Sequence, residues 1–305
     1  MADMINEPCG VLILNKPQGP TSHDIVNKIR RLYSTKKVGH TGTLDPMATG
    51  VLVVLIGRAA KACEYSLSDR KIYTATLRLG IVTDTEDTTG NILQESPVTA
   101  SEADVKAVLE SFKGKIKQIP PMYSALKVGG KKLCDIAREG GTVEREARQI
   151  EVYSISAEHI AEHDYKLEVE CSAGTYIRTL CADIGNALGC GGAMASLERS
   201  AACGFSISEA RSVEEIEALS IDERLALLRP VEEIFNELDA VRLPSFYEKL
   251  FRSGCEIYLK KAKLPEYPVG TRLRVLDSKG GFFALGEVRE YENGLAVKSI
   301  KLFVL

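Results

Sequence analysis

GHTGTLDPMATG, residues 39–50, and the apolar run VLVVLI at 51–56 decide how this chain is built. The first stretch holds three glycines, three threonines, one histidine and a single carboxylate, Asp45, with Pro46 directly after it. Glycine has no Cβ, so backbone there approaches a ligand closely. A residue before proline is pushed toward extended geometry, which presents Asp45 instead of winding it into a helix. Asp-Pro is also a good helix start, with Asp as N-cap and Pro at the first helical position. The run that follows argues against that alternative, because VLVVLI reads as a buried strand and not as an amphipathic helix. The stretch is a ligand-facing loop feeding a core strand.

Working outward, CGVLILNK (9–16) reads as a second buried strand. A helix is predicted from about 21 to 33, opened by a Thr21–Asp24 capping box, with Ile25, Ile29 and Leu32 on one face. Past the core strand come a short helix near 58–67 and KIYTATLRLG (71–80), which alternates as a half-buried strand does. Ser101 and Asp104 open another helix, SEADVKAVLESF. ALKVGGKKL carries the Gly129-Gly130 pair of a tight hairpin or basic finger. Strands near 149–156 and 164–172 lead to a helix at about 176–188, ended by Gly189, and two acidic helical stretches span 212–228. The order is mixed, so the fold class is α+β: helices decorating a largely antiparallel sheet.

A boundary falls near 236–244, giving one unit over 1–238 and another over 241–305. The second ends in TRLRVLDSKGGFFALGEVREYENGLAVKSIKLFVL, strand-turn-strand with Gly280-Gly281 and Asn293-Gly294 as hairpin signals. Short strands over sixty-odd residues predict a small β-barrel.

Composition sets the outer limits. The chain has 305 residues, 45% apolar and 27% charged, and no apolar run reaches the roughly 18 residues of a membrane helix. MADMINEPCG carries no basic cluster, so no signal or transit peptide is expected and the default compartment is the cytoplasm. Eight cysteines without a Cys-x-x-Cys pair argue for reduced thiols, not a disulfide framework or zinc site. His159 and His163 lie four apart, but in sequence that reads as two strands and a turn, and DTEDTTG misses calcium-loop spacing. No metal is predicted.

Net charge is −3, yet it is unevenly spread. Residues 28–37 hold Lys28, Arg30, Arg31, Lys36 and Lys37 without an acid, and 113–138 hold seven basic residues against Asp135. Residues 241–305 carry twelve basic and seven acidic residues, while 209–239 carry ten acids and three arginines. Binding follows local potential, so basic faces opposite an acidic one suit an RNA partner.

The signature loop, with NKPQGPTS (15–22), YTATLRLGIVTDTEDTTG (73–90), QIPPMYSALKVGGKKL (118–133) and GTYIRTL (174–180), resembles the bacterial tRNA pseudouridine synthase B family. These motifs come in family order and cover about the first 210 residues; Asn15 stands where many relatives carry Asp. The resemblance implies the pseudouridine synthase fold, followed by a PUA-like RNA-binding domain. It implies isomerisation of uridine-55 in the tRNA T-loop, with no cofactor. Breaking N1–C1′ resembles glycoside cleavage, in which a carboxylate meets positive charge developing at C1′. Asp45 corresponds to the family's catalytic aspartate; addition to the sugar and removal of a C2′ proton both need it ionised.

By the same correspondence Arg178 is the active-site arginine, expected to pair with a buried Asp45 through two hydrogen bonds. Tyr73 matches the tyrosine that lies against the target base, and Leu197 an apolar position that closes the pocket. His40 matches a histidine that stacks where the flipped base has left the loop. Lys16 and Tyr176 line the pocket, and Lys127, Lys131 and Lys132 form a finger over the RNA. Without the motifs, Tyr73 and Leu197 read equally well as core, Arg178 as a surface ion pair and His40 as structural. The expected partner is tRNA through its T-arm, with no membrane and no guide RNA, the chain acting as a monomer. The alternative function is a non-catalytic tRNA-binding and folding factor. A phosphate-cradle reading of the loop fails, since no Gly-Lys-Ser/Thr follows and the loop leads into a strand.

Overall fold

The computed structural model describes residues 7–65 and 70–303. Strand β1 (Gly10–Lys16) is buried almost throughout. Helix α1 (Ser22–Leu32) begins with the reciprocal Thr21–Asp24 cap and lays Ile25, Val26 and Ile29 against Leu12, Leu14, Leu52 and Val54. A short β2 (Val38–His40) runs antiparallel to β3 (Thr49–Ile56). Residues 41–48 between them form the loop, with no helix at Asp45-Pro46. Every residue of β3 from Gly50 to Ile56 is buried, which makes it the core strand read from VLVVLI. The helix expected near 58–67 is a 3-10 helix over Gly57–Glu64. Residues 66 and 67 of that expectation lie outside the described residues, as do residues 1–6 of the N-terminal segment.

Strand β4 (Lys71–Leu79) buries Lys71, Tyr73, Ala75, Leu77 and Leu79 in strict alternation. A ribbon of β5 (Ile81–Thr83) and β6 (Ile92–Glu95) carries the DTEDTTG turn. Helix α2 (Glu102–Ser111) opens on the Ser101–Asp104 box and leads to β7 (Gly114–Gln118). The basic hairpin, β8 (Lys127–Val128) and β9 (Lys131–Lys132), turns on Gly129 and Gly130 at φ 60° and 86°, angles that glycine adopts without strain. Helix α3 (Leu133–Arg138) follows, then the long hairpin β10 (Arg148–Ala161) and β11 (Asp164–Cys171). Helix α4 (Ile177–Ala187), strands β12 (Gly192–Ala202), β13 (Phe205–Ser206) and β14 (Arg211–Ser212), and helices α5 (Val213–Ala218) and α6 (Ile221–Ala226) complete this part.

The main sheet runs β14-β1-β3-β12-β4-β11-β10-β7, with β2 and β13 paired beside that path. It is antiparallel except at β1–β14 and β3–β12, each joined by two residue pairs. Strand β12 was not legible in the sequence, yet it sits at the centre between β3 and β4. That placement brings the end of the signature loop, Tyr73 and Leu197 into one region.

The last part is a five-stranded sheet of order β15-β17-β18-β19-β16. Its strands are β15 (Ala240–Arg242), β16 (Ile257–Tyr258), β17 (Arg272–Leu276), β18 (Phe282–Tyr291) and β19 (Gly294–Leu302). The hairpins expected at Gly280-Gly281 and Asn293-Gly294 join the last three strands. Two helices that strand periodicity did not suggest, α7 (Ser245–Arg252) and α8 (Leu259–Ala262), cover a core of Val241, Leu243, Phe251, Phe283 and Val297. Strands β15 and β16 are the outer strands, so this is a half-barrel. It is fastened to the rest by Phe235, Phe282 and Phe303, whose ring centroids lie 5.5–6.0 Å apart. An ion pair between Arg274 and Glu232, at 2.9 Å, adds to that seam. No helix among the described residues is long and apolar enough to cross a membrane.

Candidate active site

Residues 41–48 of the signature loop have no regular secondary structure, so their backbone groups need partners from elsewhere. Ser22 supplies two of them: its hydroxyl accepts from the Leu44 amide at 2.9 Å and donates to the Leu44 carbonyl at 3.1 Å. The Gly19 amide donates to the Pro46 carbonyl at 2.8 Å, and the Ala48 amide to the Asp45 carbonyl at 3.1 Å. Lys16 is fully buried beneath the loop and donates to the carbonyls of Pro17, Pro46 and Ala48. All three of its protons are spent on main chain, so Lys16 supports the loop from below. Burial pulls its ammonium down to about 8, against the charge of Asp45, which favours protonation.

Above this support Asp45 meets Arg178 at two points. Arg178 Nε lies 2.8 Å from Asp45 Oδ2, and Nη2 donates to Oδ1 at 3.2 Å. The fork matches a carboxylate in a way that a lysine cannot. The arginine side chain is 5% exposed, whereas Asp45 keeps 34% of its surface open. The sequence reading had the carboxylate itself buried; instead the cation is buried and the carboxylate faces outward, free to meet a ligand. Arg178 also donates to the carbonyls of Thr85 and Tyr123, at 3.1 and 2.7 Å.

A second acid belongs to this group, and sequence reasoning missed it. Asp87, in the DTEDTTG turn, is buried with Oδ2 3.7 Å from Arg178 Nη1. Its Oδ1 accepts from the Thr85 hydroxyl and from the Thr89 amide and hydroxyl. The threonine-rich turn was the available signal, because such side chains pin a carboxylate locally.

Tyr73 on β4 and Leu197 on β12 are both buried, and they share one apolar cluster with Leu44, Ala48 and Ile177. Those last three flank Asp45 and Arg178 in the chain, so the cluster forms the apolar side of the site. Tyr176 caps α4: its amide donates to Gln118 Oε1 at 2.8 Å, and Gln118 Nε2 donates back to its carbonyl at 3.0 Å. Burial raises its phenol above the ordinary tyrosine range. His40 ends β2 half-buried, and its Nδ1 is buried without a hydrogen-bond partner. Burial holds its imidazole below the usual value, with Arg199, His23 and Lys71 adding to the effect and a Gly42 backbone contact opposing it. Lys127, Lys131 and Lys132 are exposed on the hairpin, away from direct contact with Asp45. The hairpin is nevertheless tethered to the site, since the Cys134 amide donates to the Ser124 carbonyl, next to the Tyr123 carbonyl held by Arg178.

All eight cysteines are free thiols. Among the described residues, no three His, Cys, Asp or Glu side chains converge as metal ligands would. The arrangement offers one outward carboxylate paired at two points with a buried cation, beside an aromatic ring and an aliphatic wall. Those are the elements needed to hold a planar base and to meet positive charge at an adjoining carbon.

Comparison with known proteins finds relatives along most of the chain. Residues 30–177 match the profile of the TruB family pseudouridylate synthase N-terminal domain. Residues 178–236 match that of the tRNA pseudouridylate synthase B C-terminal domain. The chain is 45% identical to the tRNA pseudouridine synthase B of Alkaliphilus oremlandii over 249 residues, covering 82% of this chain and 83% of the relative. It is 40% identical to that of Clostridium kluyveri over 296 residues, 97% and 99% of the two chains. Among solved structures, a chain in an H/ACA RNP bound to a substrate RNA containing 2′-deoxyuridine superposes with a TM-score of 0.72. That match, at 24% identity, covers 97% of this chain and 85% of the other, and shows a shared fold.

Proposed function

The chain belongs to the TruB family of pseudouridylate synthases, and on that premise we propose that it converts uridine-55 in the T-loop of tRNA to pseudouridine. It is an isomerase that forms pseudouridine in tRNA. The reaction breaks N1–C1′, turns the detached uracil and joins C1′ to C5; the C5 proton leaves and N1 gains one. Nothing is oxidised and no group is imported, so the chemistry balances without a cofactor.

The observation that carries the reading is the two-point Arg178–Asp45 pair on a loop whose backbone is fixed from beneath. Asp45 meets the charge that develops at C1′. Arg178 supplies the opposite charge and aims the carboxylate, and Asp87 backs the guanidinium. Tyr73 stacks on the base and moves the proton at C5, while Leu197 and Tyr176 close the pocket. His40, neutral at physiological pH, stacks in the gap left by the flipped base. Lys127, Lys131 and Lys132 close over the phosphates. Residues 1–238 form the catalytic unit, and residues 241–305 form a PUA-like RNA-binding unit with a net charge of +5 from twelve basic and seven acidic residues. The enzyme works on tRNA as a monomer, without guide RNA, in the cytoplasm. A pure folding factor has no use for a carboxylate held at two points by a buried guanidinium.

The test is a T-arm hairpin carrying tritium at C5 of its uridines, incubated with wild type and with Asp45→Asn. Wild type should release tritium from one T-loop uridine, and Asp45→Asn none. No release by either protein, on full-length tRNA as well, overturns the proposal in favour of binding alone.

A further inference from the structure

Arg199, on β12, is a charge in the wrong place by ordinary rules. It is 1% exposed, heads the largest fully buried side chains, and forms no ion pair with a carboxylate among the described residues. Taking a cation out of water is costly, and hydrogen bonds to its donors are what offset that cost. Here each of the three guanidinium nitrogens finds a main-chain carbonyl. Nε donates to the Val51 carbonyl at 2.8 Å, Nη2 to Gly42 at 3.0 Å and Nη1 to Thr43 at 3.4 Å.

Those three carbonyls lie on opposite sides of Asp45. Gly42 and Thr43 enter the loop and Val51 leaves it, so one rigid guanidinium spans both arms. The register explains how it gets there. Arg199 stands opposite Gly50 on one side and Tyr73 on the other. Gly50 has φ 102°, and a Cβ there would lie 2.3 Å from the Arg199 carbonyl oxygen, so only glycine lets β12 come this close. Lys71 Nζ and Arg199 Nη1 both border Gly42, and Lys16 grips Pro46 and Ala48. With Ser22 on Leu44 and the Ala48 amide on Asp45, the carbonyls of residues 42–46 and 48 each have a partner.

We propose that Arg199 is a positioning residue for the isomerisation: its guanidinium ties the two arms of the signature loop together and so fixes the Asp45 carboxylate against Arg178. This rests on the reading of Asp45 as the catalytic carboxylate. Arg199 contributes through geometry, without touching RNA. Its loss should slow the chemical step and leave RNA affinity in place, because a small misplacement of a reacting group costs on the order of a hundredfold in rate.

Arg199→Lys keeps the charge and one point donor but loses the span; Arg199→Met keeps the length and loses every donor. Single-turnover rates, RNA Kd, melting temperature and amide exchange of residues 39–50 are measured for both, beside wild type and Asp45→Asn. The expected result is a rate loss of about tenfold or more for Lys and about a hundredfold for Met. RNA Kd should stay within about threefold and the loop amides should exchange faster, since only the local tie is cut. If Arg199→Met does not fold, Arg199→Lys decides. A wild-type rate in Arg199→Lys, or a rate loss matched by an equal loss of RNA affinity, overturns the inference. Activity surviving in Asp45→Asn is a different failure, that of the reading of Asp45.

Discussion

Lys16 is a residue whose chemistry changes within the working range of pH. Its ammonium is pulled down to about 8, while an unfolded chain keeps that proton to about 10.5. Between those values the unfolded state binds the extra proton, so this group makes the fold more stable as pH rises through the window. The site responds in the opposite direction. Above about 8 the loop loses a proton donor to Pro46 or Ala48 and a positive charge beside Asp45. The single-turnover rate should therefore fall on the alkaline side with a midpoint near 8. Arg stays charged throughout, so Lys16→Arg should be slower overall but lack that limb. An identical limb in Lys16→Arg would assign it to another group. At the same scale Asp45 and Arg178 show why residue type matters more than charge: two parallel contacts fix a direction, and one ammonium cannot.

Among the elements, the β8–β9 hairpin has the clearest separable role. Lys127, Lys131 and Lys132 are exposed, and Lys131 makes only a 3.4 Å exposed pair with Glu139. Exposed pairs of this kind contribute about 0–1 kcal/mol, so removing them leaves the fold intact. The triple alanine variant should melt as wild type does, bind tRNA more weakly and flatten the dependence of log Kd on log salt by up to about two to three. An unchanged slope would remove the hairpin from the RNA interface. Helices α1 and α2 show the opposite kind of element, one defined almost wholly by its ends. Each opens on a reciprocal side-chain cap that satisfies two amides within four residues, which is why both were readable from sequence.

The whole molecule is held as one by a seam that neither part shows alone. Phe282 and Phe303 from the half-barrel stack together and meet Phe235 of the preceding segment, within a cluster that also holds Val53 and Leu55 of the core strand. Phe303→Ala should cost about 3 kcal/mol of stability and make the chain near 236–240 more sensitive to protease. A melt and a time course of limited digestion check both. Unchanged values in the two assays would mean that the half-barrel is tethered only by its backbone.

The sequence by itself determined the loop at Asp45, the core strand after it, the capped helices, the glycine hairpins and the α+β class. Each of these is written within a few neighbouring residues: a cap, a turn, an alternation, a proline after a carboxylate. The motifs in family order pointed to Asp45, Tyr73, Arg178 and their companions together. Tertiary structure alone decided where β12 goes, because GAMASLERSAA has weak periodicity and takes its place through pairing with residues more than a hundred positions away. It alone turned Arg199 inward, set Asp87 behind Arg178 and left Asp45 open while burying its partner. It also added α7 and α8 to a segment whose later strands dominate its pattern. Local signals carry no information about which distant carbonyl a buried cation will find. That is settled only when the sheet closes.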